Sequence, residues 1–442
     1  MDEKLPRALE LPRPQPRPGY DRAGEGQLMT RTTMTSRERI LAAISHKPVD
    51  RVPIDLGGSE SSGLTGIAWH KLSQHLAGGK EAGSNAPPEI VEPYQQVARV
   101  TDAMRRRFGI DTIGLFIEPA AWRDDTFSDG SPCRVPAGWQ PRVLSNGDRV
   151  IFDADSQPVA RMPAGGLYFD PVATPLAECI SPADIARGRD VVATCDLPIY
   201  WDETPQATAA RARLLHGQTD SAIVFNFCCH LLHAGTGLRG YEQFMMDLVL
   251  NRPLVEALLE TLLEVYTERI ECYAPLLRGH VDVVLFNDDL GTQSGPMISP
   301  KVYQELIQPR QAKLFGCAKK AFGAPLLFHS CGSVRAFIPG LIAAGVDALN
   351  PVQVSAEGME SGGLKRDFGK DICFWGGGCD SQQVLPRGTP ADVRAEVRRR
   401  VADFASDGTG FVFTQVHNIQ SDVPAENVVE MLDAAQENQI CT

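Results

Sequence analysis

The clearest candidate for chemistry is a histidine and a cysteine separated by one residue, His329 and Cys331, in the segment 328–333 (FHSCGS). This segment directly follows the apolar run 324–327, which predicts a buried strand. Side chains alternate with a period of two along a strand, so both residues are expected on one face, where imidazole and thiolate can bind one metal ion. A buried cysteine beside a capping histidine is the alternative interpretation.

A tetrahedral zinc site that keeps a position open for substrate needs a third protein ligand. Cys379 follows the seventh predicted strand and His417 follows the eighth, so either residue, or both, could complete the site. Zinc in such a site lowers the pKa of a bound thiol and produces a nucleophile that accepts an alkyl group. A bound water would make the same site hydrolytic, and the spacing leaves both reactions open.

Two further polar segments follow predicted strands. Asn287, Asp288 and Asp289 come after the fourth strand, where Asn287 could bind substrate and the two carboxyl groups could act as general acid or base. Helix capping is the competing role for these residues. After the seventh strand, a glycine loop and an aspartate could bind substrate, or the glycines could simply permit a tight turn; the candidates are Gly377, Gly378 and Asp380.

The elements that must position these residues are eight short apolar runs separated by amphipathic stretches. This alternation predicts a (β/α)8 barrel, with a doubly wound open sheet as the second choice. In such a barrel, residues at the carboxyl ends of the strands form the active-site face. The predicted strands are 52–56, 111–117, 222–227, 282–287, 325–329, 347–351, 372–376 and 411–416, with helices over 253–278, 300–320 and 390–405.

Two regions fall outside the repeating pattern. Residues 1–33 are rich in proline and charge and predict a disordered leader, so the barrel domain is expected over 34–442, opening with a capping box at Thr35 and Glu38. Residues 118–221 predict a subdomain inserted between strands 2 and 3. Within it, the sequence SNGD at 145–148 between apolar runs predicts a type I′ hairpin.

Composition excludes several classes of protein. The 442 residues contain 43 Lys and Arg against 55 Asp and Glu, a net charge of −12 that argues against nucleic acid as a partner. No apolar run suits a membrane span or a signal peptide, so a cytoplasmic protein is expected. The 11 cysteines form no regular framework and are expected to be reduced. Motifs for ATP, dinucleotides and serine hydrolysis are absent.

Taken together, the motifs resemble the uroporphyrinogen decarboxylase superfamily, which also contains zinc-dependent, corrinoid-linked methyltransferases. The resemblance covers nearly everything after the leader and implies a (β/α)8 barrel. It is carried by the segments 35–39 (TSRER), 51–53 (RVP), 238–242 (LRGYE), 287–291 (NDDLG), 329–333 (HSCGS), 378–380 (GCD) and 417–419 (HNI).

The two branches of the superfamily make different demands on the sequence. True decarboxylases carry arginines after the first strand that bind the carboxylates of the substrate, whereas residues 52–70 contain no Lys or Arg. The methyltransferases resemble this chain in a His-x-Cys pair, matched by His329 and Cys331. Their later cysteine aligns with His417, so the resemblance leaves His417 and Cys379 open as the third ligand.

We therefore expect an enzyme that transfers a methyl group between a methylated donor or a corrinoid and a thiol or similar acceptor. Zinc is the expected cofactor, with cobalamin or another corrinoid carried by a partner protein. His417 is also a candidate catalytic residue. Expected partners are a small-molecule substrate, the corrinoid protein and a second copy of the chain in a homodimer. The alternatives are a porphyrinogen decarboxylase and a non-catalytic corrinoid- or metal-binding barrel.

Overall fold

The computed structural model describes residues 33–78, 86–153, 155–194 and 202–437. The predicted leader, 1–33, lies outside the described residues except for Thr33. The first helix, Ser36–Ile44, begins with the predicted capping box: Thr35 Oγ1 accepts from the Glu38 N–H (3.2 Å), and Glu38 Oε2 accepts from the Thr35 N–H (2.9 Å). This helix packs its apolar face under the barrel, because Ile40, Ala43 and Ile44 belong to the same cluster as the barrel interior.

The predicted barrel strands are present and run parallel. Within the described residues, seven of them form one sheet in chain order: Thr112–Leu115, Ala222–Asn226, Val283–Asn287, Leu326–His329, Ala348–Asn350, Cys373–Trp375 and Phe411–Val412. Residues 52–56 close this sheet into a barrel. Ile54 forms a parallel bridge with Phe413, and its carbonyl accepts from the Asp111 N–H (2.7 Å) on the other side. The (β/α)8 prediction is therefore confirmed.

The interior of the barrel follows the period of two along each strand. Val224, Leu285, Leu327 and Ala348 share one buried cluster, whereas Ile223, Val284, Leu326 and Leu349 face the helices in the other. The next inward position on each strand is polar, at the carboxyl end: Asn226, Asn287, His329 and Asn350. The interior of the barrel is therefore apolar, and a layer of polar side chains closes it at the carboxyl ends of the strands.

The opposite end of the barrel is held by aspartates placed before the second, fourth and sixth strands. Each donates its backbone N–H to a residue of the preceding strand and accepts that residue's N–H on its carboxylate, which locks neighbouring strands in register. The pairs, with the two distances, are Asp111 with Ile54 (2.7 and 2.8 Å), Asp282 with Ile223 (2.9 and 2.8 Å) and Asp347 with Leu326 (3.1 and 2.8 Å).

The carboxylate of Asp111 accepts more hydrogen bonds than those of the other two aspartates. It is fully buried and accepts from two arginines, Arg39 (2.6 Å) and Arg51 (2.7 and 2.8 Å), as well as from the Ile54 N–H. Arg39 also binds Asp50. Arg39 and Arg51 therefore stabilise the closure of the barrel at the amino ends of its strands, opposite the carboxyl ends that carry the polar layer.

Helices cover the outside of the barrel, and no helix in the described part of the chain has both the length and the apolar character needed to cross a membrane. The run predicted as one helix over 300–320 is interrupted by a π-helical turn, Tyr303–Ile307, just before Pro309, which cannot donate a backbone N–H. The α-helices after the first are Gly66–Gly78, Asp102–Phe108, Pro182–Arg187, Arg189–Thr194, Pro205–Gln218, Leu232–Arg239, Tyr241–Leu250, Arg252–Leu277, Pro300–Val302, Gln308–Phe322, Ile338–Ala344, Ser361–Phe368, Val384–Arg387, Pro390–Phe404 and Ala425–Glu437.

Within residues 118–221, where an insertion is predicted, the described residues form two small antiparallel sheets outside the barrel. The hairpin at 145–148 is present, but its turn is not type I′. Only Gly147 has a positive φ (86°), whereas a type I′ turn needs positive φ at both central residues. The strands outside the barrel are Leu64–Thr65, Ile90–Glu92, Val97–Ala98, Trp122–Thr126, Pro132–Pro136, Arg142–Val143, Arg149–Phe152, Pro158–Met162, Asp170–Pro171, Gly291–Thr292 and Gly295–Pro296.

The Asp111 cluster generates a prediction about stability. Asp111→Asn leaves Arg39 and Arg51 without their shared counter-charge, so we expect a loss of about 3 to 5 kcal/mol in the free energy of unfolding. Urea unfolding followed by circular dichroism measures this loss. The matched control is Asp433→Asn, which breaks a half-exposed pair with Arg107 and should change stability by less than about 1 kcal/mol. Equal effects of the two variants would contradict the assigned role.

Candidate metal centre at the barrel mouth

Three predicted metal ligands come together at the carboxyl end of the barrel. The potential ligand atoms of His329, Cys331 and His417 all lie within 4.8 Å of one another. Cys331 Sγ is 3.4 Å from His329 Nε2, and the rings of His329 and His417 have their centroids 5.8 Å apart. His329 ends its strand, while Cys331 and His417 lie in the loops after the fifth and eighth barrel strands.

The His329 ring is oriented by Asn350, on the neighbouring strand. His329 Nδ1 is 2.6 Å from Asn350 Oδ1, which also accepts from the Ser61 hydroxyl (2.9 Å). Asn350 Nδ2 donates to the Trp375 carbonyl (2.9 Å), so the amide cannot turn around without losing its partners. His329 Nδ1 therefore carries the proton, and Nε2 presents its lone pair to Cys331 and His417.

The donor set and spacing fit zinc. Two imidazoles and one thiolate are typical zinc ligands, and they leave a fourth position for another ligand. In a tetrahedral site with Zn–S of about 2.3 Å and Zn–N of about 2.0 Å, sulfur and nitrogen are about 3.5 Å apart. The observed separation between Cys331 Sγ and His329 Nε2 is 3.4 Å. This pair already has the spacing of two ligands of one ion.

Burial and nearby charges set the protonation of the group. Burial raises the pKa of the Cys331 thiol well above its ordinary value, and the carboxylate of Asp289 adds to this. Burial lowers the pKa of His417 to about 4, assisted by His329. His417 is therefore a neutral imidazole at pH 7, the form that binds metal.

Asp289 lies against the group, while Asp288 points away from it. Asp289 Oδ1 accepts from the Cys331 N–H (2.8 Å) and is 3.8 Å from His329 Nε2. Burial alone would raise the pKa of Asp289, but the electrostatic interaction with His329 and the hydrogen bond from the Cys331 N–H outweigh it and lower that pKa. Asp289 thus positions the Cys331 backbone and supplies negative charge beside the imidazole.

Asp288 has the geometry of a helix cap. It is buried and accepts from the backbone N–H groups of Leu231 (3.1 Å), Leu232 (2.9 Å) and His233 (2.8 Å), at the start of the helix Leu232–Arg239. Burial raises its pKa to about 6 despite these bonds. Both carboxylate oxygens are occupied by backbone donors, so the arrangement supports a structural role over the predicted acid or base.

Cys379 is not part of the metal-binding group. Its side chain is fully buried in the apolar cluster outside the barrel, and burial raises the pKa of its thiol. The adjacent glycines allow close packing: a Cβ on Gly376 would lie 2.1 Å from the Pro351 carbonyl oxygen, and one on Gly378 would lie 2.4 Å from the Phe413 ring. Gly377 has φ +69°, and Asp380 accepts from the Gln382 N–H (3.0 Å), both features of a tight turn.

The structure adds three residues that sequence reasoning missed. Asn350 orients His329, as described, and Glu60 accepts from Asn287 Nδ2 (2.8 Å). Tyr168, within residues 118–221, accepts a hydrogen bond on its hydroxyl from Gln420 Nε2 (2.7 Å), and burial and the nearby Cys331 raise the Tyr168 pKa to about 12. Asn350 could have been found as the inward residue of its strand, but Glu60 lies in the short helix Glu60–Ser62 and Tyr168 lies on a loop, and neither belongs to a recognisable motif.

Comparisons with known proteins agree with this architecture. No curated protein matches the chain significantly. Among solved structures, a methyltransferase from Methanosarcina mazei superposes with a TM-score of 0.55 and 16% sequence identity, covering 91% of this chain and 99% of that one. At this identity the likeness concerns the fold. Residues 225–438, which include all three residues of the metal-binding group, match the model of the uroporphyrinogen decarboxylase (URO-D) family. Over these residues, the chain is similar to the uroporphyrinogen decarboxylase family.

Proposed function

We propose that this protein is a zinc-dependent methyltransferase that passes a methyl group between a methylated donor or a corrinoid and a thiol or similar acceptor. The observation that carries the proposal is the convergence of His329, Cys331 and His417 at the barrel mouth, with their ligand atoms within 4.8 Å of one another. The methyltransferase from Methanosarcina mazei that shares the fold supports the same class of reaction.

In this proposal, His329, Cys331 and His417 hold the metal. When bound, zinc acts as a Lewis acid that lowers the pKa of the acceptor thiol, so that a nucleophile exists at neutral pH. Asn350 keeps the lone pair of His329 Nε2 directed at the site. Asp289 holds the Cys331 backbone and, as a half-exposed carboxylate, can accept the proton that the acceptor loses.

The charges around the site favour methyl transfer over porphyrinogen decarboxylation. The charged groups that act most strongly on the pKa values of Cys331, His417 and Asp289 are carboxylates and histidines. A substrate with many carboxylates needs guanidinium partners in a closed cleft. Residues 52–70, which follow the first strand, contain no Lys or Arg.

The proposal includes a partner. A corrinoid cofactor, if it is the methyl donor, is expected on a separate small protein that docks at the barrel mouth, because the methyl group must reach the metal centre. This face is bordered by the insertion, from which Tyr168 approaches Cys331. Co-purification with a corrinoid-binding protein would identify the donor.

The first prediction concerns metal content. Protein purified without chelators should contain about one zinc per chain, since three protein ligands suit a catalytic zinc site. Cys331→Ser and His417→Gln should lose most of this zinc, as measured by inductively coupled plasma mass spectrometry. Cys379→Ser is the matched cysteine control and should retain it. Zinc that persists in Cys331→Ser, or disappears only in Cys379→Ser, would contradict the assignment.

The second prediction concerns protons. At pH 7 the raised pKa of Cys331 keeps its thiol protonated, while His417, with a pKa of about 4, is already neutral. Zinc binding should therefore release about one proton from Cys331 and none from His417. Calorimetry in buffers of different ionisation enthalpy measures this release, and Cys379→Ser, which keeps all three proposed ligands, should release the same number of protons. Zinc binding without proton release in the wild-type protein would count against Cys331 as a thiolate ligand.

The third prediction concerns the reaction. Zinc-loaded protein should demethylate methylcob(III)alamin in the presence of a small thiol, and Cys331→Ser should lower this rate by at least about 100-fold, since loss of the metal removes the main electrostatic catalyst. The loss of methylcobalamin absorbance follows the reaction. Incubation with uroporphyrinogen should give no decarboxylated porphyrinogens; efficient decarboxylation by metal-free protein would overturn the proposal.

A further inference from the structure

We infer that Glu60 and Asn287 form a subsite next to the metal-binding group that binds an ammonium group of the substrate. This inference rests on the proposed methyl transfer for the identity of the reaction, but its evidence is a separate set of contacts. Asn287 is inward-facing at the end of the fourth barrel strand, and Glu60 lies in the short helix Glu60–Ser62 that follows the first barrel segment.

The orientation of the Asn287 side chain follows from its contact with Glu60. The Glu60 carboxylate only accepts hydrogen bonds, so the amide nitrogen of Asn287 must face it, and the two atoms are 2.8 Å apart. Asn287 Oδ1 then points elsewhere in the mouth. This oxygen is buried, in a residue that is only 8% exposed, and no group in the described part of the chain donates a hydrogen bond to it. A buried acceptor without a donor is unfavourable, which is typical of a group that awaits a ligand.

Glu60 is held in place by its backbone and keeps one oxygen for a ligand. Its N–H donates to Asn226 Oδ1 (3.2 Å), and Asn226 Nδ2 donates to the Gly58 carbonyl (3.0 Å), so the inward side chain of the third strand fixes this loop. Glu60 Oε1 accepts from Asn287, whereas the contact of Oε2 within the described residues is a weak one to a thiol, 3.8 Å from Cys228 Sγ. Cys228 itself has an unusual backbone conformation, with φ +50°.

The subsite lies directly beside the metal-binding group. Asn287 and His329 are paired in register on adjacent parallel strands, so their side chains project from the same face of the sheet. The hydrogen bond from the Asp288 N–H to the His329 carbonyl (3.0 Å) ties the two strand ends together. A substrate whose reacting atom is at the metal therefore has Glu60 and Asn287 within the reach of a short chain.

The chemistry of these atoms selects a cationic donor. Glu60 Oε2 and Asn287 Oδ1 are both acceptors, and a carboxylate beside an amide oxygen suits an ammonium group, which donates up to three hydrogen bonds. The wider mouth has the same preference. Glu92 and Asp422 help to raise the pKa of Tyr168, and Asp289 has the same effect on the pKa values of Cys331 and His417. These carboxylates place negative charge around the site. An anionic substrate would be repelled.

The test compares three thiols of similar size that differ in charge. 2-Aminoethanethiol, 2-mercaptoethanol and 2-mercaptoethanesulfonate are titrated into zinc-loaded protein by calorimetry. We expect the aminothiol to bind at least about tenfold more tightly than the neutral thiol, and the sulfonate to bind most weakly. Glu60→Gln keeps the acceptor for Asn287 Nδ2 but removes the charge, and should bring the three affinities to within about twofold of one another. Thermal melting checks that this variant is folded.

Glu357→Gln is the matched control, because it removes an exposed carboxylate beyond the sixth strand and should keep the preference for the aminothiol. Equal affinities in the wild-type protein, or a preference for the sulfonate, would overturn the subsite. If the protein binds neither zinc nor thiols, the proposed function fails, and ethylammonium is then titrated into metal-free protein by ligand-observed NMR. Binding that disappears in Glu60→Gln supports the subsite on its own, and absence of binding to the wild-type protein refutes it.

Discussion

The structure depends on the closure of the barrel by residues 52–56. On one side, Phe413 bonds to the two neighbours of Ile54: its carbonyl accepts from the Asp55 N–H and its N–H donates to the Pro53 carbonyl. On the other side, Ile54 itself bonds to Asp111, whose carboxylate is neutralised by Arg39 and Arg51. The loop that leaves this segment carries Ser61, which supports Asn350, and Glu60, which contacts Asn287. A buried ion cluster at one end of the barrel therefore determines the register of the polar layer at the other end, because a parallel strand that slips moves every side chain it carries.

Layers of supporting contacts surround the metal-binding group. Asn350 orients the ring of His329, Asp289 holds the backbone of Cys331, and Tyr168 from the insertion approaches the same thiol. Contacts of this kind narrow the orientations open to the side chains of His329 and Cys331, the candidate metal ligands. The nearby carboxylates of Asp289 and Glu60 place negative charge at the mouth, which is the basis of the proposed preference for small cationic or neutral substrates.

Much of the barrel and part of the site could be predicted from the sequence. All eight strand positions follow from short apolar runs, and the convergence of His329 with Cys331 follows from the period of two. The role of Asp288 could not be predicted, because a carboxylate at a strand end serves equally well as an acid or as the cap that it forms on the helix Leu232–Arg239. The prediction of a type I′ turn at 145–148 was wrong, because Asn146 does not adopt the positive φ that its Asn-Gly motif favours.

The sequence by itself determined the alternation of strands and helices and the presence of imidazole and thiol ligands, because these depend on local periodicity and residue chemistry. Only the tertiary structure decided between His417 and Cys379, which stand at equivalent places after neighbouring strands. The two differ in the direction of the side chain: His417 faces the mouth, whereas Cys379 packs into the outer apolar layer. Glu60 likewise acquires a role only through contacts with residues more than 160 positions away, Asn226 and Asn287. Such contacts depend on barrel closure, which no local pattern encodes.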